Sequence, residues 1–196
     1  MWKKYLSKAF TDSNVYFVDI GCGPGTSGLA FAELFKETPF RYVGIDLSNS
    51  MRKKGKTLLN ALNEKTSHQN ILKIYLTKSI EKLPENFPKK AAIIFNFSFF
   101  FGSKFLNNDL LKTYAEKILK IVKGKNQPRV FISYTNSQYL THSKRYFEFL
   151  KLLGFEQSNE EFISDLQKVT ISYYTRRKLL ATKKDETFYR ELFEMT

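Results

Sequence analysis

Two short stretches of the chain carry residues whose types and spacing can do chemistry. Residues 15–28 read VYFVDIGCGPGTSG, an apolar run followed by glycines at 21, 23, 25 and 28. Glycine adopts backbone conformations that other residues avoid and lets a ligand approach the main chain closely. Residues 40–46, FRYVGID, end in Asp46, and a carboxylate at a strand end can accept hydrogen bonds from both hydroxyls of a ribose. Together the two stretches predict a site for a nucleoside-containing cofactor.

The glycine spacing separates this loop from two common nucleotide-binding loops. A dinucleotide fingerprint, G-x-G-x-x-G, would place its third glycine at position 26, which is threonine. A P-loop would need Gly-Lys-Ser or Gly-Lys-Thr after its spacer, and the loop contains neither. We therefore expect a ligand whose binding does not require the loop to hold a large phosphate group.

The composition is typical of a globular cytoplasmic protein. The chain has 196 residues, of which 42% are hydrophobic and 16% aromatic, enough for one domain with a core. Its single cysteine, Cys22, excludes an internal disulfide and favours a reducing compartment. The two histidines, His68 and His142, lie far apart in sequence, so we expect no metal site. The N-terminus lacks the apolar core of a signal peptide, and the most apolar stretch, 91–101, is too short to span a bilayer.

Apolar runs alternate with amphipathic segments along the chain, which is the pattern of β-α-β units on a parallel sheet. Strands are predicted at 15–20, 40–46, 71–76, 91–97 and 129–135, followed by an antiparallel pair near 155–163 and 168–175. Helices are predicted at 26–36, from 48 or 49 to about 63, from 108 or 109 to just before Gly124, and at about 142–153. We therefore predict an α/β fold: a doubly wound, mostly parallel seven-stranded sheet with an antiparallel C-terminal edge hairpin and helices on both faces. The prediction is one domain, 1–196, with a short N-terminal segment at 1–14 and a basic C-terminal tail at 177–196.

VDIGCGPGTSG and YVGIDLSNSM resemble the first and second cofactor motifs of class I S-adenosylmethionine-dependent methyltransferases. The resemblance covers the α/β order from about residue 15 to 176. It implies a Rossmann-like methyltransferase that binds S-adenosylmethionine, with Asp19 near the amino group of the cofactor, directly or through water, and Asp46 on its ribose. It also implies a set of residues that line the methionine, ribose and adenine portions: Gly21, Cys22, Gly23, Gly25, Leu47, Met51, Ser79 and Asn96. Cys22 is interpreted as a small filler, and Met51 is alternatively a core residue.

The chain departs from the family pattern in two places. Where the family often has an acid after the third strand to accept the adenine amine, TKSIEKLP offers Lys78 and Ser79, and Ser79 can accept one hydrogen bond. Only fourteen residues precede the first predicted strand, whereas many relatives carry N-terminal helices over the active site. We therefore expect an open site that is covered by a large substrate or by a partner protein.

The candidate acceptor-side residues are Asn96, Ser98 and Phe99, because they leave the central strand at the same edge as the cofactor motifs. We predict that they are the catalytic residues, although Phe99 and Phe101 are alternatively a continuation of the buried strand. Tyr134, Asn136 and Ser137 follow the fifth strand and form a second polar group or, in the alternative reading, a plain turn. Family members that methylate exocyclic amines of bases typically carry a motif with two prolines after the fourth strand. The corresponding stretch here, NFSF at 96–99, has neither proline, so it does not identify the acceptor.

The charge of the chain favours an acidic partner. Its formal net charge is +13 and its pI is about 9.7, and the Arg176–Arg177 pair adds to the basic C-terminal segment. We therefore predict methylation of nucleic acid, with RNA favoured. Two alternatives stay open: a methyltransferase acting on a small molecule or a protein, and a non-catalytic methyltransferase-like subunit that binds a partner protein.

Overall fold

The structure is a computed structural model that describes residues 2–65, 69–137, 140–155, 163–173 and 182–195. His68, the Arg176–Arg177 pair and most of the strand predicted at 155–163 lie outside the described residues. What the sequence predicts for them therefore stays a prediction.

Strands and helices alternate through most of the chain, as the sequence pattern predicts. The strands are β1 (Asn14–Ile20), β2 (Phe40–Ile45), β3 (Ile71–Thr77), β4 (Ala91–Ser98), β5 (Arg129–Ser137), β6 (Ile163–Tyr173) and β7 (Thr182–Met195). The helices are α1 (Trp2–Phe10), α2 (Thr26–Leu34), α3 (Asn49–Lys65), α4 (Asn108–Val122) and α5 (Leu140–Leu152). The first five predicted strands agree with β1 to β5 to within two residues, because each is an apolar run bounded by turn residues.

The sheet has the strand order β3-β2-β1-β4-β5-β7-β6. Strands β1 to β5 run parallel, whereas β7 is antiparallel to both β5 and β6. Helices cover both faces, with α1, α2 and α3 packed in one core cluster and α4 and α5 in the other. The predicted α/β fold with a mostly parallel sheet and an antiparallel C-terminal edge is confirmed.

The C-terminal segment differs from the sequence prediction. A basic tail was expected at 177–196, but residues 182–195 form β7, which lies between β5 and β6. The prediction was wrong because Leu192, Phe193 and Met195 are buried in the sheet. Strand β6 covers the described part of the strand predicted near 168–175, and it pairs with β7.

The N-terminal segment also differs, because it contains helix α1. Leu6, Ala9 and Phe10 of this helix are buried against the sheet face that α2 covers. These residues lie three and four apart, the spacing that places side chains on one helix face. Within the described ranges no helix has the length and apolar character needed to cross a membrane.

Candidate cofactor site

The glycine loop joins β1 to α2 at the carboxyl edge of the sheet. Gly21, Gly23 and Gly25 have φ angles of 70°, 51° and 79°, a left-handed region in which side chains cause strain. The backbone N–H groups of Gly21 and Cys22 donate to the Ile45 carbonyl over 2.8 and 3.1 Å. The loop is therefore fixed to the end of β2, and its glycines are required by its conformation.

Asp46 joins the same loop to the start of α3. One carboxylate oxygen accepts the Gly23 N–H at 2.9 Å, and the other accepts the Ser48 N–H at 2.7 Å. Each carboxylate oxygen can accept a further hydrogen bond. Asp46 is half-buried and faces the cleft described below. The two N–H contacts therefore orient a carboxylate that still has capacity for ligand hydroxyls.

Asp19 lies beneath the loop and is 1% exposed. Its carboxylate accepts hydrogen bonds from the Tyr42 hydroxyl at 3.0 Å and from the Asn96 side-chain amide at 2.8 Å. The Asn96 amide oxygen in turn accepts from the Ser133 hydroxyl at 3.1 Å. Burial raises the pKa of Asp19 to about 6, although these hydrogen bonds oppose the rise. This polar chain runs across β2, β1, β4 and β5 and fixes the strand ends that carry the site.

Gly28 makes the Tyr42 contact sterically feasible. A Cβ at position 28 would lie 2.3 Å from Cε2 of Tyr42, closer than any real contact allows. The ring therefore occupies the space beside α2 and reaches Asp19 from there. Gly28, the last glycine of the sequence motif, is therefore required for the packing of Tyr42 against α2.

Cys22 is also part of this packing. Its side chain is 5% exposed, and burial is the main factor that raises the pKa of the thiol to about 12. The thiol is therefore protonated at neutral pH, which agrees with the interpretation of Cys22 as a small side chain that fills space in the loop.

A cleft of about 730 Å³ opens between the glycine loop, the ends of β2 and β3 and the segment after β4. Six of the predicted site residues line it: Gly21, Asp46, Leu47, Ser79, Ser98 and Phe99. The other six do not: Asp19, Cys22, Gly23, Gly25, Met51 and Asn96. Leu47 is 66% exposed on the wall of the cleft. Met51 is 43% exposed, so the alternative that it is a core residue is wrong.

Glu81 supplies a carboxylate to this cleft that sequence reasoning missed. The Ser79 hydroxyl accepts the Glu81 N–H at 3.2 Å and donates to the Glu81 carboxylate at 3.1 Å. Ser79 therefore caps the short 3₁₀ turn Ile80–Lys82 that brings the acid to the cleft. The signal was in TKSIEKLP itself, but the acid stands four residues after β3, beyond the position that the family pattern points to.

Aromatic side chains that follow β4 form one rim of the cleft. Phe99 is 50% exposed and has a φ of 57°, which is an outlier for a bulky residue. Its N–H donates to the Thr135 carbonyl at 2.9 Å, and its ring packs edge-on against Phe188 at a centroid distance of 5.7 Å. Phe105 is 77% exposed on the same rim. The alternative that the buried strand continues is therefore wrong for both residues, because β4 ends at Ser98; Phe101 is fully buried but lies in the short 3₁₀ turn Phe100–Gly102.

The polar group predicted after β5 lies within the strand and not in a turn. Tyr134 and Asn136 are both 1% exposed, and the Asn136 amide donates to the Tyr134 hydroxyl at 3.1 Å. Tyr134 stacks on Tyr146 of α5 at a centroid distance of 3.7 Å. The buried carboxylate of Glu191 accepts the hydroxyls of Tyr146 and Tyr189. Burial raises the pKa of Tyr146 well above its ordinary value, so the phenol remains a donor.

Several solved structures superpose on most of this chain. The precorrin-6y C5,15-methyltransferase of Geobacter metallireducens superposes with a TM-score of 0.52 at 10% identity, over 97% of this chain and 86% of that one. An S-adenosylmethionine-dependent O-methyltransferase of Thermotoga maritima gives 0.53 at 10% identity, over 97% and 63%. The precorrin 8w decarboxylase of Methanobacterium thermoautotrophicum gives 0.50 at 15% identity, over 97% and 88%.

At the level of sequence, no protein-family model and no curated protein matches the chain. Identities this low show a shared fold alone. The chain therefore shares the fold of these two methyltransferases, in agreement with the α/β fold that the sequence predicts.

Proposed function

We propose that the protein is an S-adenosylmethionine-dependent methyltransferase. The observation that carries the proposal is Asp46, a carboxylate fixed by two backbone N–H groups on the wall of a cleft at the carboxyl ends of β1, β2 and β4. Ligands of doubly wound sheets bind at this edge. The exposed apolar side chain of Leu47 beside it fits an adenine, and the glycine loop offers close backbone approach.

Different residues on the cofactor side are assigned to different portions of the ligand. We assign the ribose hydroxyls to Asp46 and the adenine amine to Glu81, with Ser79 orienting Glu81. The loop residues Gly21 and Gly23 would lie along the methionine portion. Asp19 is buried with both oxygens engaged, so we assign it the role of fixing the strand ends beneath the loop, and its contact with the cofactor amino group stays a prediction.

The acceptor side is formed by Ser98 and Phe99, which line the cleft next to the loop. Asn96 is 6% exposed and its amide is engaged by Asp19 and Ser133, so we infer that it positions the strand end. When bound, S-adenosylmethionine supplies an electrophilic methyl group on a sulfonium sulfur. The chain's own task is then to align the acceptor and exclude water, and an amine acceptor with a free lone pair requires no general base.

We propose nucleic acid, with RNA favoured, as the acceptor, in the cytoplasm. The support is the net charge of +13 and the exposed aromatic rings of Phe99 and Phe105 on the rim of the cleft. A small-molecule acceptor is the second candidate, since apolar side chains of Leu106, Leu110 and Tyr114 line the cleft wall. A non-catalytic subunit covered by a partner protein is the third, and it predicts cofactor binding without turnover.

The test of the proposal is transfer of a labelled methyl group. The protein is incubated with methyl-labelled S-adenosylmethionine and, separately, with total RNA, a small-molecule extract and a protein extract, with Asp46→Ala as the matched control. Label in the RNA fraction that depends on Asp46 supports the leading acceptor, whereas label in another fraction selects that class. Absence of label in every fraction, with intact cofactor binding, would leave only the non-catalytic function.

A further inference from the structure

The Tyr114 hydroxyl in helix α4 has no role in the function proposed above. The Asn107 side chain accepts the Leu110 N–H at 2.8 Å and so caps the start of this helix. The helix packs on the sheet through residues three and four apart, the spacing of one helix face: Leu111, Tyr114, Ala115 and Ile118. Tyr114 belongs to this face and also lines the cleft, where only 6% of the residue is exposed.

The Tyr114 hydroxyl differs from most hydroxyls on the cleft wall. Four others already have a hydrogen-bond partner within the chain: Ser48, Ser79, Ser103 and Thr113. The Tyr114 hydroxyl makes no hydrogen bond with any other described residue. Buried polar groups are nearly always paired, because leaving one unpaired costs free energy. This arrangement therefore indicates a partner that enters the cleft.

Tyr114 lies close to both the glycine loop and Asp46. Its ring packs edge-on against Phe100, with the centroids 5.3 Å apart. Phe100 in turn touches the loop, since a Cβ added at Gly21 would lie 3.0 Å from its Cδ2 atom. Burial raises the pKa of Tyr114 to about 12, and the negative charge of nearby Asp46 adds to the rise. The phenol is therefore a protonated donor at neutral pH.

A phenol donor complements the carboxylate of Asp46. An ionised carboxylate only accepts hydrogen bonds, whereas a sugar hydroxyl both donates and accepts. A ribose hydroxyl that gives its proton to Asp46 still has free lone pairs, and the Tyr114 O–H is the matching donor. The adenine amine is itself a donor and would leave the phenol proton without an acceptor. The ribose is therefore the portion of the cofactor that fits both groups.

We propose that Tyr114 donates a hydrogen bond to a ribose hydroxyl of S-adenosylmethionine, the same hydroxyl that donates to Asp46. This inference rests on the proposed methyltransferase function and adds a specificity-determining residue to its site. A hydroxyl that is paired on both sides is recognised strongly, because a ligand without it leaves a carboxylate and a phenol unpaired. The site should therefore reject the corresponding deoxy ligand.

The test compares Tyr114→Phe with Tyr16→Phe in the full chain. Tyr114→Phe removes the hydroxyl and keeps the ring that packs on Phe100. Tyr16→Phe is the matched control, because Tyr16 is a half-buried tyrosine that packs edge-on against Phe87 and does not line the cleft. Calorimetry measures the binding of S-adenosylmethionine, of S-adenosylhomocysteine, and of the 2′-deoxy and 3′-deoxy analogues of S-adenosylhomocysteine. Thermal unfolding verifies that both variants are folded.

Tyr114→Phe should bind both hydroxylated ligands about 2-fold to 10-fold more weakly than wild type, the range for one neutral hydrogen bond. Tyr16→Phe should bind them as wild type does. With one of the two deoxy analogues, Tyr114→Phe and wild type should have equal affinity, because the acceptor of the phenol proton is then missing. A loss that persisted with both analogues, or an equal loss in Tyr16→Phe, would overturn the proposal.

Asp46→Ala provides a check that does not depend on a Tyr114 variant. Because the phenol remains, this variant should still prefer S-adenosylhomocysteine to one of the two deoxy analogues. Absence of any preference would mean that Asp46 alone recognises the ribose, which would overturn the proposal. The two proposals can fail separately. Wild-type protein that bound neither S-adenosylmethionine nor S-adenosylhomocysteine would overturn the methyltransferase function, whereas wild-type binding that Tyr114→Phe left unchanged would overturn the role of Tyr114 alone.

Discussion

Two buried carboxylates hold the two halves of the sheet, and they do so differently. Asp19 in β1 takes hydrogen bonds from side chains of the two neighbouring strands, Tyr42 and Asn96. Glu191 in β7 takes them from Tyr146 of α5 and from Tyr189 of its own strand. The first network joins strand ends beneath the glycine loop, whereas the second joins helix α5 to strand β7. The same chemical group therefore fixes strand ends beside the cleft in one half and links a helix to the C-terminal hairpin in the other.

The largest effect that separates the halves should be the pH dependence of stability from Asp19. Its pKa is about 6 when folded, against 3.8 for an ordinary aspartate, so the folded state binds the proton first as the pH falls from about 6 to 4. Stability from this group therefore rises over that window, by about 2 to 3 kcal/mol at 1.36 kcal/mol per pKa unit, and is lost as the pH rises through 6. Urea unfolding of wild type and Asp19→Asn at several pH values measures it. Equal pH slopes for the two proteins would contradict it.

Removing the carboxylate of Asp46 should weaken the cofactor site alone. Asp46→Ala removes the carboxylate that we propose binds the ribose and frees the N–H groups of Gly23 and Ser48. We expect binding of S-adenosylmethionine to weaken by about 1.5 to 3 kcal/mol, measured by calorimetry. Glu191→Gln, in the other half, should bind the cofactor as wild type does. Unchanged affinity in Asp46→Ala would remove Asp46 from the site.

The complementary change should destabilise the C-terminal half alone. Glu191→Ala leaves the fully buried Tyr146 hydroxyl without this acceptor, while the half-buried Tyr189 can turn to water. The free energy of unfolding should therefore fall by about 1 to 3 kcal/mol. Chemical unfolding measures this loss, and calorimetric titration measures the affinity for S-adenosylmethionine, which should not change. A loss of cofactor affinity of similar size would show that the halves are coupled.

The smallest effect should come from Glu81. Glu81→Gln keeps an acceptor oxygen but loses the charge, so cofactor binding should weaken by about 0.5 to 1.5 kcal/mol with no change in stability. Ser79→Ala is the matched variant, because it leaves Glu81 in place and removes the hydroxyl that orients it. If neither variant changed the affinity, the adenine amine would have a different partner.

The sequence predicted the half of the sheet with the glycine loop better than the C-terminal half, for physical reasons. Strands β1, β2 and β4 are buried on both faces and appear as continuous apolar runs, and positive φ angles explain the loop glycines. In β7, Tyr189 and Glu191 alternate with Phe188, Arg190 and Leu192, so neither face is cleanly polar and the period of two is obscured. From the sequence alone, Glu191 would be interpreted as a surface acid. In the fold, Tyr146, which is 45 residues away in sequence, donates its hydroxyl to the Glu191 carboxylate.

Asp19 and Glu81 show two further limits of sequence reasoning. The motif placed Asp19 beside the ligand, but its depth depends on Tyr42, which occupies space that only Gly28 leaves open. Glu81 was missed because a 3₁₀ turn moves the acid relative to the strand end. Local patterns indicate which residues gather at an edge, whereas their burial depends on packing between elements.

The central claim is that the cleft holds S-adenosylmethionine against Asp46, and one measurement tests it most directly. Wild-type protein and Asp46→Ala are titrated with S-adenosylmethionine in a calorimeter, after unfolding curves have verified that both are folded. We predict one-to-one binding by wild type at micromolar concentration and a clear loss in the variant. A folded wild-type chain that released no heat of binding with S-adenosylmethionine, and none with S-adenosylhomocysteine, would contradict the claim.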